Sequence, residues 1–333
     1  MDNLRVTRSR LGDAYRAARA SVAGSALVLT YHRVIEVPHD PESLTISPAA
    51  FERQIETLST HFNVLTASDL CGHLERRKRI PRRSVAITFD DGYFDLLAHA
   101  RPVLERYGTP ATAFVSTAEI GTARERWWDE IAYLCSGDHP LPSPLAFEAA
   151  GRTFESEIDT ETRGGRESLY AALIDHVWPL GAAGRSETLD ALFREVELDR
   201  PTRPEYRSLG GDELRELARG GLVEIGAHTV SHQMLSTVCV RDQRSEIEGG
   251  KAALEGILGM PVTLFSYPYG GRGDIGSDTR SLVEQAGFRC AFANWFGLVF
   301  PWTDRYLLPR CPTGDFPATE FREQLEQWFR LGR

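Results

Sequence analysis

The chain predicts an α/β fold: a distorted (β/α) barrel of about seven parallel strands with a mainly helical insertion. Three observations point there. Short apolar, β-branched runs alternate with amphipathic helical stretches, which means parallel strands joined by crossover helices. Around seven such units favour a closed or nearly closed barrel over an open sheet. Finally, Asp90, Asp91, His228 and Tyr269 all stand just past the ends of strands, where a barrel of this kind carries its site.

Strands are expected near 26–32, 62–66, 84–90, 111–117, 223–228, 262–267 and 289–294. Helices are expected near 48–60, 67–78, 94–107, 211–220, 241–258, 278–287 and 318–331. Ser47 or Thr45 can cap the first helix, and Gly108, Gly259 and Gly287 stand where glycines end helices. Residues 119–208 break the rhythm with scattered Pro and Gly, mixed charge, and helical stretches at 165–179 and 186–195. They read as an insertion after the fourth strand, placed to cap the barrel mouth. The expected organisation is a lead-in helix over 1–25 and a barrel over 26–333, with 119–208 as its inserted cap.

With 333 residues, 42% apolar and 26% charged, the composition is that of a soluble globular protein. A net charge of −9, without a basic stripe of interleaved aromatics, argues against a nucleic-acid surface. Five cysteines (Cys71, Cys135, Cys239, Cys290, Cys311) include no CxxC pair, and the expectation is five free, mostly buried thiols suited to a reducing compartment. The apolar stretch from Ala26 to Tyr31 ends in His32 and Arg33, too polar for a secretory signal. No run approaches the roughly 20 apolar residues of a membrane span. Residues 1–20 carry five arginines with Leu4, Val6, Leu11 and Tyr15, a solvated helix or a weak contact with an anionic membrane surface. The expected location is therefore the cytoplasm, with membrane association through that stretch as a further option.

The chemistry concentrates in Thr88-Phe89-Asp90-Asp91-Gly92, which ends the apolar run Val85-Ala86-Ile87. Two adjacent carboxylates at a buried strand end cost several kcal/mol unless a cation or protons offset them. His228-Thr229-Val230-Ser231-His232 supplies ligands for such a cation: two histidines four apart share a face if the chain turns helically after the strand. A carboxylate from another strand end completes a facial triad. Neighbours in an extended chain point to different sides, so one aspartate can ligate the ion while the other stands over the water it activates. A bound divalent ion lowers its water's pKa to roughly 7, and a carboxylate alongside can take the proton. The plain alternative is that both aspartates cap a helix starting near Phe94.

TFDDGY at 88–93 and HTVSH at 228–232 resemble the first two motifs of the polysaccharide deacetylases with NodB homology. Phe265-Ser266-Tyr267-Pro268-Tyr269-Gly270 resembles a variant of the third. Leu29-Thr30-Tyr31-His32-Arg33-Val34 is similar to the opening of the poly-N-acetylglucosamine deacetylase branch, and Arg305-Tyr306-Leu307-Leu308-Pro309-Arg310 to a late segment of related members. The resemblance spans about 26–118 and 209–312, with Trp127-Trp128-Asp129 in between. It implies Asp90 as general base, Asp91, His228 and His232 as ligands of a divalent metal (zinc first, cobalt or nickel otherwise), and the Tyr269 N–H facing the oxyanion. The substrate class it implies is an N-acetylated sugar or glycan in cell-surface glycan biosynthesis.

Two departures from the pattern stand out. Ser266 occupies the place of an arginine, leaving Asp90 without a cationic partner unless Arg272 or Arg310 substitutes. No histidine follows His232, so the general acid of the late motif is missing, and His32, at the end of the first strand, is the candidate for it. The rival readings are a deformylase or other amide hydrolase on a lipid-linked amino sugar, a catalytically inactive glycan-binding relative, and an iron oxygenase, whose usual jelly roll the strand–helix alternation opposes. Gly271-Arg272-Gly273-Asp274-Ile275-Gly276 matches GxGxxG, but it follows a late strand and lacks an acidic residue about 20 positions on.

Overall fold

The structure, a computed structural model, describes residues 24–137 and 139–331. Its main sheet is wholly parallel. In spatial order it runs Cys290–Phe292, Leu264–Ser266, Val223–Ala227, Ala111–Val115, Ser84–Phe89, Ala26–Tyr31 and Cys311–Pro312. Every residue of Ala26–Tyr31, Ser84–Phe89 and Ala111–Val115 is buried, as parallel strands covered on both faces require. Asn63–Leu65 is an eighth strand that shares an edge with Ala111–Val115: the first pairs with Ser84–Ala86, the second with Thr88 and Phe89. Leu308 bridges Phe292, while Cys311 and Pro312 pair with Leu29 and Thr30. The run 308–312 thus joins the last strand to the first and curls the sheet into a distorted (β/α) barrel. Cys311–Pro312 has too few residues to carry a hydrophobic period, so the sequence showed seven strands and not this one.

Helices Pro48–His61, Ala67–Glu75, Gly211–Ala218, Val240–Leu258 and Ser277–Gln285 occupy crossover positions, and Ala318–Leu331 follows the last strand. Ser47 is the cap of the first, its Oγ accepting from the Ala50 N–H at 3.3 Å. The stretch expected as one helix over 94–107 is a π turn, Leu96–Ala100, leading into Arg101–Tyr107. Pro102 has no N–H to offer the ladder, and the Arg101 N–H reaches five residues back to Leu96 O.

Within 119–208 lie the helices Trp127–Ser136, Arg163–Val177 and Ala182–Glu195 and a β-hairpin, Leu145–Ala149 with Arg152–Ser156. The hairpin was not anticipated, although Leu145, Phe147 and Ala149 alternate buried with exposed neighbours. Ala150 and Gly151 both take positive φ at its tip, the turn that suits the twist of two strands. This segment has its own core, built on Ile131, Leu134, Leu169, Leu173 and Leu192, and Tyr93 from the barrel is part of it.

One expectation fails outright. Cys71 and Cys290 form a disulfide between the helix Ala67–Glu75 and the strand Cys290–Phe292, leaving Cys135, Cys239 and Cys311 free. The partners are 219 residues apart, a separation at which spacing carries no pairing signal. The case for a reducing compartment from five free thiols falls with it. Among the described residues no helix is long and apolar enough to cross a membrane. The basic stretch over 1–20 and nearly all of the expected lead-in helix over 1–25 lie outside the described residues.

Candidate active site

Asp90 directly follows the strand Ser84–Phe89, and its N–H donates to Tyr31 O of the neighbouring strand at 3.0 Å. The chain then turns sharply, with Asp91 at φ 71° and Gly92 at φ 79°. A Cβ on Gly92 would lie 2.7 Å from the Val115 side chain, so this turn admits only glycine after the two aspartates. Neither aspartate caps a helix. Asp90 turns to Arg310, Asp91 to the histidines.

His228 follows the strand Val223–Ala227, but the residues after it are not helical. Thr229 and His232 take φ of 67° and 53°, and this irregular loop, rather than a helical turn, brings the two rings to 4.9 Å. Glu246, from the helix Val240–Leu258, holds the loop. Its carboxylate accepts from Val230 N at 2.9 Å, Ser231 N at 2.8 Å and Ser231 Oγ at 2.7 Å. Gly250 lets that helix come close, since a Cβ there would meet Thr229 O at 2.7 Å.

Asp91 Oδ1 lies 3.3 Å from His232 Nε2 and 3.6 Å from His228 Nε2. The three donor atoms lie within 4.8 Å of one another on buried residues, and Asp91 Oδ1 has no hydrogen-bond partner. His228 Nδ1 lies 2.8 Å from Ser266 O. Donation to that carbonyl puts the proton on Nδ1 and leaves the Nε2 lone pair facing Asp91. Burial pushes both imidazoles below the ordinary histidine value, against the pull of Asp90 and Asp91 on His228, and with His228 and Arg126 adding to the effect on His232. Two neutral imidazoles and an orphaned buried carboxylate oxygen fit a divalent cation.

Asp90 is held differently. Arg310, fully buried, makes a fork to it, Nη1 to Oδ1 at 2.8 Å and Nη2 to Oδ2 at 2.6 Å. Burial pushes the Asp90 carboxyl up, but Arg310 and His228 outweigh it and bring it down to about 2. Arg310, not Arg272, is therefore the cationic partner; Arg272 lies over the Trp295 ring. Ser266, which stands where the family pattern has arginine, serves both sides of the site: its carbonyl faces His228 and its Oγ lies 3.4 Å from Asp90 Oδ2.

His32, Asp90, Asp91, His228, His232 and Tyr269 all line one cavity of about 450 Å³. Tyr269 takes φ 60°, and no hydrogen bond engages its N–H among the described residues. Its ring meets that of His232 at 4.9 Å and stacks on Trp178 of the cap at 4.5 Å. Trp127, Trp128 and Ile174 complete the cap's side of the cavity. Arg126 binds the backbone carbonyl of Asp91 and pairs with Glu119 at 2.7 Å. Sequence reading missed Glu246 and Trp178. The pairing of Glu246 with Gly250, one turn later on the same helix face, was a usable sign for the first; Trp178 gave none.

The polysaccharide deacetylase family model matches residues 77–142 and 194–291. The two matched stretches flank 143–193, which hold the hairpin, Arg163–Val177 and Trp178. The poly-beta-1,6-N-acetyl-D-glucosamine N-deacetylase of Staphylococcus aureus is 32% identical over 110 residues, taking in 29% of this chain and 38% of the relative. That of Staphylococcus epidermidis is 33% identical over 111 residues, with the same shares. The chain thus aligns with well under half the length of these curated relatives. Among solved structures, IcaB from Ammonifex degensii superposes with a TM-score of 0.59 at 18% identity, covering 92% of this chain and 97% of that one. Streptococcus pyogenes deacetylase PplD, solved with acetate, gives 0.58 at 16%, covering 90% and 97%. Fold and strand-end motifs together define a (β/α) barrel of the NodB type. The chain belongs to the polysaccharide deacetylase family.

Proposed function

We propose that this protein is an N-deacetylase that hydrolyses the acetamide of an N-acetylated amino sugar. The observation that carries the reading is the convergence of Asp91, His228 and His232 beside an Asp90 kept ionised by Arg310. The names of the relatives support the substrate class.

Asp91, His228 and His232 would hold a divalent metal, with zinc the first choice. Such an ion supplies an acidified water and polarises the amide carbonyl. Asp90 takes the water's proton. Held near 2, it is charged at every working pH but is a weak base, so its first task is to orient the water, and its acceptance of the proton leans on that water's acidity. The Tyr269 N–H faces the oxygen on which negative charge develops, a kind of contact worth about 10²–10³ in rate. His32, at the cavity wall, is the candidate to protonate the leaving amine.

The test is acetate release from N-acetylglucosamine oligomers, with chelation and metal add-back. Asp90→Asn should lower the rate by about 10²–10⁴ with metal content unchanged, whereas His228→Ala should lose the metal itself. Equal rates for wild type and Asp90→Asn would overturn the mechanism. Formate release from N-formyl substrates in place of acetate would move the assignment to a deformylase.

A further inference from the structure

The loops that carry the candidate metal ligands do not hold their shape alone. Asp91 and His232 both take positive φ, 71° and 53°, a backbone region that side chains other than glycine keep only where surrounding contacts fix it. Glu246 holds the middle of the loop between the histidines, at Val230 and Ser231, and leaves the carbonyls of Asp91 and His232 to other partners. Both are met from the segment 119–208. Arg126, at the start of the helix Trp127–Ser136, donates through Nη2 to Asp91 O. Arg185, in the helix Ala182–Glu195, directs Nη1 at His232 O from 3.4 Å. Trp128, two residues on from Arg126, packs its ring against that of His232 at 5.0 Å.

Both guanidiniums are buried, with exposures of 2% and 3%. Glu119 anchors Arg126 at 2.7 Å. Among the described residues no carboxylate pairs with Arg185, which also contacts Trp178 O at 3.2 Å, the Trp127 ring and the Tyr269 hydroxyl. A buried cation without a counter-ion is costly, and a second cation nearby raises that cost. By charge alone, then, these arginines oppose a metal here: both already work against positive charge on His232. Geometry acts the other way, since each fixes the peptide carbonyl of a ligand residue and with it the direction of that residue's side chain.

We propose that Arg126 and Arg185 are positioning residues for the metal: their hydrogen bonds to the carbonyls of Asp91 and His232 set the ligand geometry, and the segment 119–208 is thereby part of the metal site. This rests on the ligand set Asp91, His228 and His232 given above. The charge and the geometry of each arginine predict opposite signs for its removal.

The experiment titrates the full chain with zinc in competition with a chromophoric chelator, and with cobalt as a spectroscopic probe. Arg126→Met and Arg185→Met keep most of the side-chain bulk and remove both donors and charge. Zinc affinity should fall about 10–100-fold in Arg126→Met and about tenfold in Arg185→Met, whose bond is longer, as for other groups that orient metal ligands. The cobalt absorption bands should shift in both. Arg126→Lys, which can still donate to Asp91 O, should recover part of the affinity. Urea midpoints of the metal-free proteins separate fold from site, because a merely structural arginine lowers the midpoint and leaves the affinity of the folded protein as it was. If Arg126→Met does not fold, Arg126→Lys decides its case by an affinity below wild type and shifted bands. Unchanged or tighter zinc binding in a folded variant would overturn the role of that arginine and leave the metal site standing. A wild-type chain that binds neither zinc nor cobalt would sink the ligand set and this inference together.

Discussion

Asp90 in the barrel and Asp129 in the helix Trp127–Ser136 are both buried aspartates beside an arginine that is itself almost wholly buried, yet they end up in opposite states. Arg310 spends two parallel hydrogen bonds on Asp90 and carries it down to about 2. Arg33 spends its Nε on Asp95 at 2.9 Å and its Nη2 on Glu205 O at 2.7 Å, and reaches Asp129 only at 3.9 Å. Burial therefore wins at Asp129 over Arg33 and the Tyr93 hydroxyl, and its carboxyl rises to about 7. A nearby guanidinium does not by itself keep a buried acid charged; charge-assisted hydrogen bonds in fork geometry do. The barrel keeps an ionised acid where chemistry is proposed. The cap uses a weakly acidic one to join its helices to the barrel, through Tyr93 Oη at 2.7 Å and the Trp128 Nε1 bond to Tyr93 Oη at 2.9 Å.

The largest effect that would break this contrast is expected from Arg310→Ala. It strands Asp90 as an unpaired buried charge and should cost about 3–5 kcal/mol, read as a fall in denaturant midpoint. In any enzyme that still folds, the Asp90 pKa rises and the acid limb of the kcat/KM profile moves to higher pH. A profile that stays in place would show that Arg310 does not control Asp90.

A smaller loss is expected at Glu246. Glu246→Ala leaves Val230 N–H and Ser231 N–H without their acceptor, a cost of about 1–3 kcal/mol, and loosens the loop between the two histidines. Metal affinity measured by competition with a chelator should fall, and Glu246→Gln, which keeps an acceptor oxygen, should recover part of it. Unchanged affinity in Glu246→Ala would mean that the loop holds its shape without the carboxylate.

The smallest effect is the pH dependence at Asp129. An unfolded aspartate titrates near 3.9 and the folded one near 7. Between those values the folded state binds more protons, so this group's contribution to stability falls as pH rises. Asp129→Asn keeps an acceptor for Tyr93 and removes that titration. Its stability relative to wild type should therefore rise from pH 5 to pH 8 in urea titrations. Some slope persists because burial also raises Glu130 to about 7. A constant difference across that range would place the Asp129 pKa outside it.

The strand–helix order and the strand ends that carry Asp90, Asp91, His228 and Tyr269 were legible in the chain, because local periodicity and paired polar residues at strand ends are properties of neighbours in sequence. The conformations at 229 and 232 were not, since left-handed backbone at Thr229 and His232 is imposed by Glu246 and by the close approach of Gly250. Nor was the choice of Arg310 over Arg272, the Cys71–Cys290 bond, or the stacking of Trp178 on Tyr269. By itself the sequence determined which groups stand at the barrel mouth and that the histidines are two. The tertiary structure decided which of the two aspartates faces them and which arginine keeps the other charged. Those choices depend on distances across the barrel between residues such as Asp90 and Arg310, 220 positions apart, and no local pattern encodes a distance of that kind.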